Sequence, residues 1–106
     1  MPKYLLEASY TVDGLKGLIK EGGTARRTAV ETAAKALGGS VDSFYYVFGE
    51  ADALVVMDMP DNVSVAAMSL SVAASGAVSG SVRVLLTPEE IDAAVKKTTN
   101  YRAPGR

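Results

Sequence analysis

The sequence contains no cysteine and no histidine. These two absences together exclude disulfides, thiolate nucleophiles, serine–histidine triads, zinc fingers and histidine-ligated haem, because each needs a side chain this chain does not have. Chemistry is left to carboxylates, Tyr, Lys, Arg, Ser and Thr. An excess of charge of one sign is missing too. Eleven basic residues against 12 acidic ones leave a formal net charge of -1. No global field therefore draws the chain onto nucleic acid or anionic lipid, and any anion must be recognised locally. The opening residues Met1-Pro2-Lys3-Tyr4 lack the basic-then-apolar layout of a signal peptide, so the cytoplasm is the expected compartment.

The most conspicuous local absence is of charge. From Asn62 to Val82 there are 21 residues without one, and Gly76 and Gly80 fall at GxxxG spacing within them. Length alone would let such a run cross a bilayer. Its content argues otherwise: six serines, two glycines and one asparagine accompany a single leucine, with no isoleucine or aromatic residue. The run divides into a helix ending near Gly76 and a strand entered through Gly80, because Val78, Val82 and Val84 alternate with Ser79, Ser81 and Arg83.

What is present suffices for one small core: 106 residues, 48% of them hydrophobic. The expected unit is a single domain over residues 1–99 with a loose tail at 100–106. Tyr4 to Thr11 alternates Leu6, Ala8 and Tyr10 against Glu7, Ser9 and Thr11, the period of a strand with two unlike faces. Thr11 caps a short helix carrying Leu15, Leu18 and Ile19, which Gly22-Gly23 stops. Thr24 restarts the helix as a cap, and Val30, Ala33 and Leu37 form its stripe up to Gly38-Gly39. Val41 to Phe48 and Ala53 to Met59 read as a hairpin around Gly49-Glu50-Ala51-Asp52. Asp61 caps the next helix, on which Val63, Ala66, Ala67, Leu70 and Ala74 share the side assigned to the core. After a fourth strand, Thr87-Pro88-Glu89-Glu90 opens a last helix with Ile91, Ala94 and Val95.

The order is βαββαβ plus a terminal helix. This is the α+β, ferredoxin-like plan, a four-stranded antiparallel sheet in spatial order 4-1-3-2. Helices cover one face of such a sheet, and the other must find water, a ligand or another chain. If Leu6, Ala8, Val55, Met57, Val82 and Val84 face the helices, parity turns Glu7, Ser9, Leu54, Val56, Asp58, Arg83 and Leu85 outward. Leu54, Val56 and Leu85, with neighbouring aromatic positions from Phe44 to Phe48, make that surface too apolar to stand bare, so pairing of two copies through their sheets is expected. The helix from Asn62 also keeps Val65, Met68 and Val72 on its other side, which calls for a second cover from the terminal helix or a second subunit.

Three stretches, KYLLEASYTVDGLKGLIKEGGTARR, FYYVFGEADALVVMDMPDN and LLTPEEIDAAVKK, closely resemble the GYD family of small bacterial proteins across nearly the whole chain. The resemblance implies a ferredoxin-like fold of the dimeric α+β barrel type, and it speaks to shape rather than chemistry. The family's Gly-Tyr-Asp element lies at the hairpin. Here Gly49, Glu50, Ala51 and Asp52 stand without its tyrosine, so no role of that ring carries over.

Several residues are candidates for a site. Thr24, Arg26 and Arg27, after Gly22-Gly23, can cradle a phosphate or carboxylate at a helix start. The simpler reading is a tight turn whose arginines bond neighbouring carboxylates, including those of a second subunit. Asp52 either lines a pocket mouth or hydrogen-bonds its own hairpin backbone. Glu7 and Arg83 form either a self-satisfying pair or, with Tyr10, acid–base groups. Tyr10, Tyr45 and Tyr46 can bind an aromatic ligand or simply be strand residues with a wet hydroxyl. Asp58 is an oxygen donor near the open face, but Pro60 interrupts any calcium-loop spacing with Asp61 and Asn62, so no metal and no cofactor are expected. The expected function is an oligomeric small-molecule-binding, structural or regulatory module with a pocket on the open sheet face. It would pair with itself and take a small anionic or aromatic ligand. Two alternatives stay open: a cofactor-free isomerase or monooxygenase of the small α+β barrel type, and an interaction subunit of a larger complex.

Overall fold

A computed structural model describes all residues, Met1–Arg106. The first strand, β1 (Lys3–Tyr10), leads through α1 (Val12–Glu21) and α2 (Gly23–Ala36) to β2 (Ser40–Tyr46) and β3 (Ala53–Asp58). Then come α3 (Asn62–Ala74), β4 (Val78–Leu85) and α4 (Pro88–Val95). The sheet is antiparallel with order β2-β3-β1-β4, the expected 4-1-3-2 read from its other edge. The charge-free run splits into α3 and β4, and no helix is long and apolar enough to cross a membrane.

Local capping sets most of the helix boundaries. The Thr11 side chain accepts from the Gly14 N–H, and Asp61 accepts from the Ser64 N–H at 2.8 Å. Thr87 and Glu90 complete a reciprocal capping box with Pro88 at the first helical position. Between α1 and α2 the chain turns at Gly22, whose φ of 87° an L side chain rarely adopts. The structure corrects the expectation for Thr24 here: Gly22 is the cap residue, Thr24 lies inside α2, and no side chain caps the helix. Gly22 makes the turn, so the helix starts two residues earlier than a cap at Thr24 would allow.

Tyr4, Leu6, Val55 and Met57 from the sheet meet Ala34 of α2, Val65 and Met68 of α3, and Met59 in one buried cluster. The Tyr4 hydroxyl is not stranded there, since it donates to Asn62 Oδ1 at 2.6 Å. The expected face of α3 is reversed. Val65 and Met68 are buried and Val72 packs against the core, while Val63 and Leu70 are exposed. Both sides of α3 are apolar, so spacing does not choose between them. The side that turns inward brings Val65, Met68 and Val72 against the cluster of Leu6, Val55 and Met57. Val84, expected under the helices, is 57% exposed at the edge of the sheet.

The terminal helix does not cover α3 within this chain. It has no buried residue and no substantial contact with another helix or strand. From Leu86 to Arg102 every residue is exposed. The chain consequently measures 56 × 33 × 22 Å with a radius of gyration of 16.9 Å, against about 13 Å for a compact chain of this length.

Candidate functional site

The open face of the sheet is defined by its register. Leu5 stands between Val56 and Arg83, Glu7 between Leu54 and Ser81, and Lys3 between Asp58 and Leu85. Leu5, Leu54, Val56 and Leu85 thus make an apolar band with charges at two corners. At one corner Lys3 bonds Asp42 and Asp58, the latter at 3.0 Å. Those bonds raise the Lys3 ammonium above its ordinary value, and the bond from Lys3 lowers the Asp42 carboxyl. A register shift between Val41 and Ser43 displaces Asp42 from strict alternation, so alternation alone gives no sign of this cluster. At the other corner Arg83 meets Glu7 at 2.9 Å, with the Arg83 side chain 63% exposed. Glu7 and Arg83 are therefore joined, as their parity suggested.

Tyr10 is not with them. It follows Leu6 and Ala8 onto the helix side, where its ring approaches Gly14. Glu7 and Arg83 thus share one face of the sheet and Tyr10 lies on the other, because one residue of offset along a strand reverses the face.

The apolar hollow lies on that helix side too, rather than on the open face as expected. Leu15 and Leu18 of α1, Gly23 of α2, and Tyr46, Val47, Phe48 and Asp52 of the hairpin line a space of about 320 Å³. The hairpin end is tied down by three bonds. The Asp52 N–H donates to the Ala8 carbonyl at 2.8 Å, Asp52 Oδ2 accepts from the Tyr10 N–H at 2.8 Å, and the Val47 N–H donates to the Asp52 carbonyl at 2.9 Å. Asp52 thus bonds the neighbouring strand through its side chain rather than its own turn, and it also lines the hollow. Its Oδ1 atom is left for another donor.

Tyr46 supplies the second polar group. Its hydroxyl donates to the Gly23 carbonyl at 3.1 Å, and its ring meets Phe44 edge-on at 5.2 Å. Burial of the hydroxyl, with the nearby Tyr10 phenol adding to it, pushes Tyr46 up to about 12, against a smaller opposing pull from Arg26 and Arg27. The residue is 39% exposed overall, so that burial is partial. Tyr46 is a protonated donor at any ordinary pH.

At the start of α2 both arginines face neighbouring carboxylates, the second of the two arrangements open to them. Arg26 reaches Glu21 at 3.7 Å and Arg27 reaches Glu31 at 4.0 Å, both partly exposed pairs. Thr24 and Arg27 line a separate hollow of about 280 Å³ with Gly23, Phe44 and Tyr46. Asp58 lies at the Lys3 end of the sheet, the opposite end from Asp52, so Thr24, Arg26, Arg27, Asp52 and Asp58 are not one site. Of the sequence candidates the fold brings together Tyr10, Tyr46 and Asp52. Leu15, Leu18 and Phe48, which complete the walls, carried only the signal of ordinary helix and strand residues.

A family model described as the GYD domain matches residues 4–95. The chain belongs to the GYD family. Its GYD domain runs from the core residue Tyr4 to Val95, so α4 lies within the matched region although it makes no substantial contact with another helix or strand of its own chain. The hairpin that bears Gly49 and Asp52 is the one that walls the hollow, with Ala51 where the family's tyrosine would be looked for. Neither a curated protein nor a solved structure matches this GYD chain.

Proposed function

We propose that this GYD protein is a homo-oligomeric binding module. Two copies pair through their open sheet faces, and each holds a small aromatic ligand in the hollow between α1 and the β2–β3 hairpin. The observation that carries the reading is the hollow itself. About 320 Å³ walled by Leu15, Leu18, Tyr46 and Phe48 falls in the range of small-molecule sites, with two polar groups to fix orientation. Asp52 accepts and the neutral Tyr46 hydroxyl hydrogen-bonds, which favours a ring bearing an O–H or N–H over an anion. Pairing is supported by the apolar band of Leu5, Leu54, Val56 and Leu85, since such a patch on a sheet is seldom left to water.

The test uses N-phenyl-1-naphthylamine, an aromatic amine whose fluorescence rises in apolar sites, together with light scattering. Binding is expected for the natural chain and is expected to be lost in Phe48→Glu, a substitution at a fully exposed side chain that leaves the core alone. Val56→Arg is expected to convert dimers to monomers. Equal binding by Phe48→Glu, or an unchanged mass for Val56→Arg, refutes the corresponding half of the reading.

A further inference from the structure

The least explained segment is α4. Ile91 and Val95 stand one helical turn apart, 47% and 73% exposed, with Leu86 bare beside them. Acidic Glu90 and Asp92 flank that apolar stripe. A second bare stripe lies on α1, where Val12, Leu15 and Ile19 are 69%, 42% and 84% exposed and Lys16 and Lys20 flank them. The two faces match in apolar content and are opposite in charge. The exposed side of α3, around Val63 and Leu70, has no charge with which to answer Glu90 and Asp92.

The arm cannot reach α1 of its own chain. It leaves β4 beside Lys3, while α1 and the hairpin sit at the far end of β1, eight residues or about 26 Å away. The eight residues of α4 extend only about 12 Å, and two residues join them to β4. The capping box with Pro88 further fixes the helix start immediately after the strand. In a two-fold pair whose β1 strands run in opposite directions, each arm emerges at the end where the other copy carries its α1 and hairpin.

We propose that α4 of one copy docks on the Val12–Leu15–Ile19 stripe of a second copy, with Glu90 and Asp92 against Lys16 and Lys20. Leu15 is also a wall of the hollow, so the arm closes the mouth of the partner's site. This rests on the reading that copies pair and that the hollow is the site.

The cysteine-free chain makes the test clean. A full-length Ile19→Cys/Ile91→Cys variant under mild oxidation is expected to give a disulfide-linked species of twice the chain mass, well above either single variant. Adding Lys16→Glu and Lys20→Glu should lower that yield roughly fivefold or more through like-charge repulsion, and Asp92→Lys should restore part of it. A dimer mass by light scattering without cross-linking above the single variants overturns the arm and leaves the sheet pairing standing. Cross-linking as strong in Val63→Cys/Ile91→Cys also overturns it, placing the arm on α3. A monomeric mass at all concentrations removes both the arm and the pairing.

Discussion

Two glycines one turn apart on α1 should respond to alanine with opposite signs. A Cβ built on Gly14 would lie 2.0 Å from the Ala77 carbonyl oxygen and 3.2 Å from the Tyr10 ring. The first contact is backbone, so no side chain can swing aside, and α1 must retreat by more than an ångström. That retreat strains the bond from the Thr11 N–H to Ala77 O, now 2.9 Å, and the bonds from Thr11 Oγ1 to the Gly76 and Ala77 carbonyls at 3.0 and 3.2 Å. Overpacking costs about 1–3 kcal/mol and a weakened hydrogen bond about 1 kcal/mol, against a gain of about 1 kcal/mol for alanine over glycine in a helix. Gly14→Ala should therefore lose about 2 kcal/mol. Gly17, in the same helix, has nothing within 4 Å of its would-be Cβ, so Gly17→Ala should gain about 0.5–1 kcal/mol. Urea unfolding at one fixed protein concentration reads both, and melting temperatures should separate by roughly 10 °C. A Gly14→Ala chain as stable as the natural one would refute the contact between α1 and the start of β4.

The Tyr46 hydroxyl gives a pH signature. Its folded value of about 12 exceeds the ordinary value of 10.0, so between those pH values the unfolded chain sheds a proton that the folded chain keeps. The stability this provides is fully present below pH 10 and is lost as pH rises towards 12; the difference in unfolding free energy between the natural chain and Tyr46→Phe should shrink across that window, and a flat difference sinks the assignment. Asp52→Ala leaves the Tyr10 N–H without its acceptor, at a cost of about 1–3 kcal/mol, whereas Asp52→Asn keeps an acceptor and should lose less. Amide exchange at Tyr10 should quicken in Asp52→Ala, and unchanged protection would show that the bond does not hold the hairpin.

How much of the site was legible depended on distance along the chain. Tyr10, Tyr46 and Asp52 were each visible as residues able to bind, yet their convergence depends on β1 and the hairpin lying side by side, which no spacing within either segment reveals. Arg26 and Arg27 looked like an anion cradle because glycines precede them. Glu21 and Glu31 engage them instead, the simpler reading of the sequence, decided by where the helix begins.

The sequence by itself determined the kinds and order of the elements and the caps at Thr11, Asp61 and Thr87, because those depend on hydrogen bonds and apolar spacing within three or four residues. It also excluded thiol, imidazole and disulfide chemistry outright. Only the tertiary structure decided which side of α3 turns inward, where the hollow opens, and that α4 makes no substantial contact with its own chain. Each of those outcomes compares burial against surfaces distant in sequence. Where two faces of a helix are both apolar, the shape of the sheet beneath, rather than the pattern along the chain, selects the one that is buried.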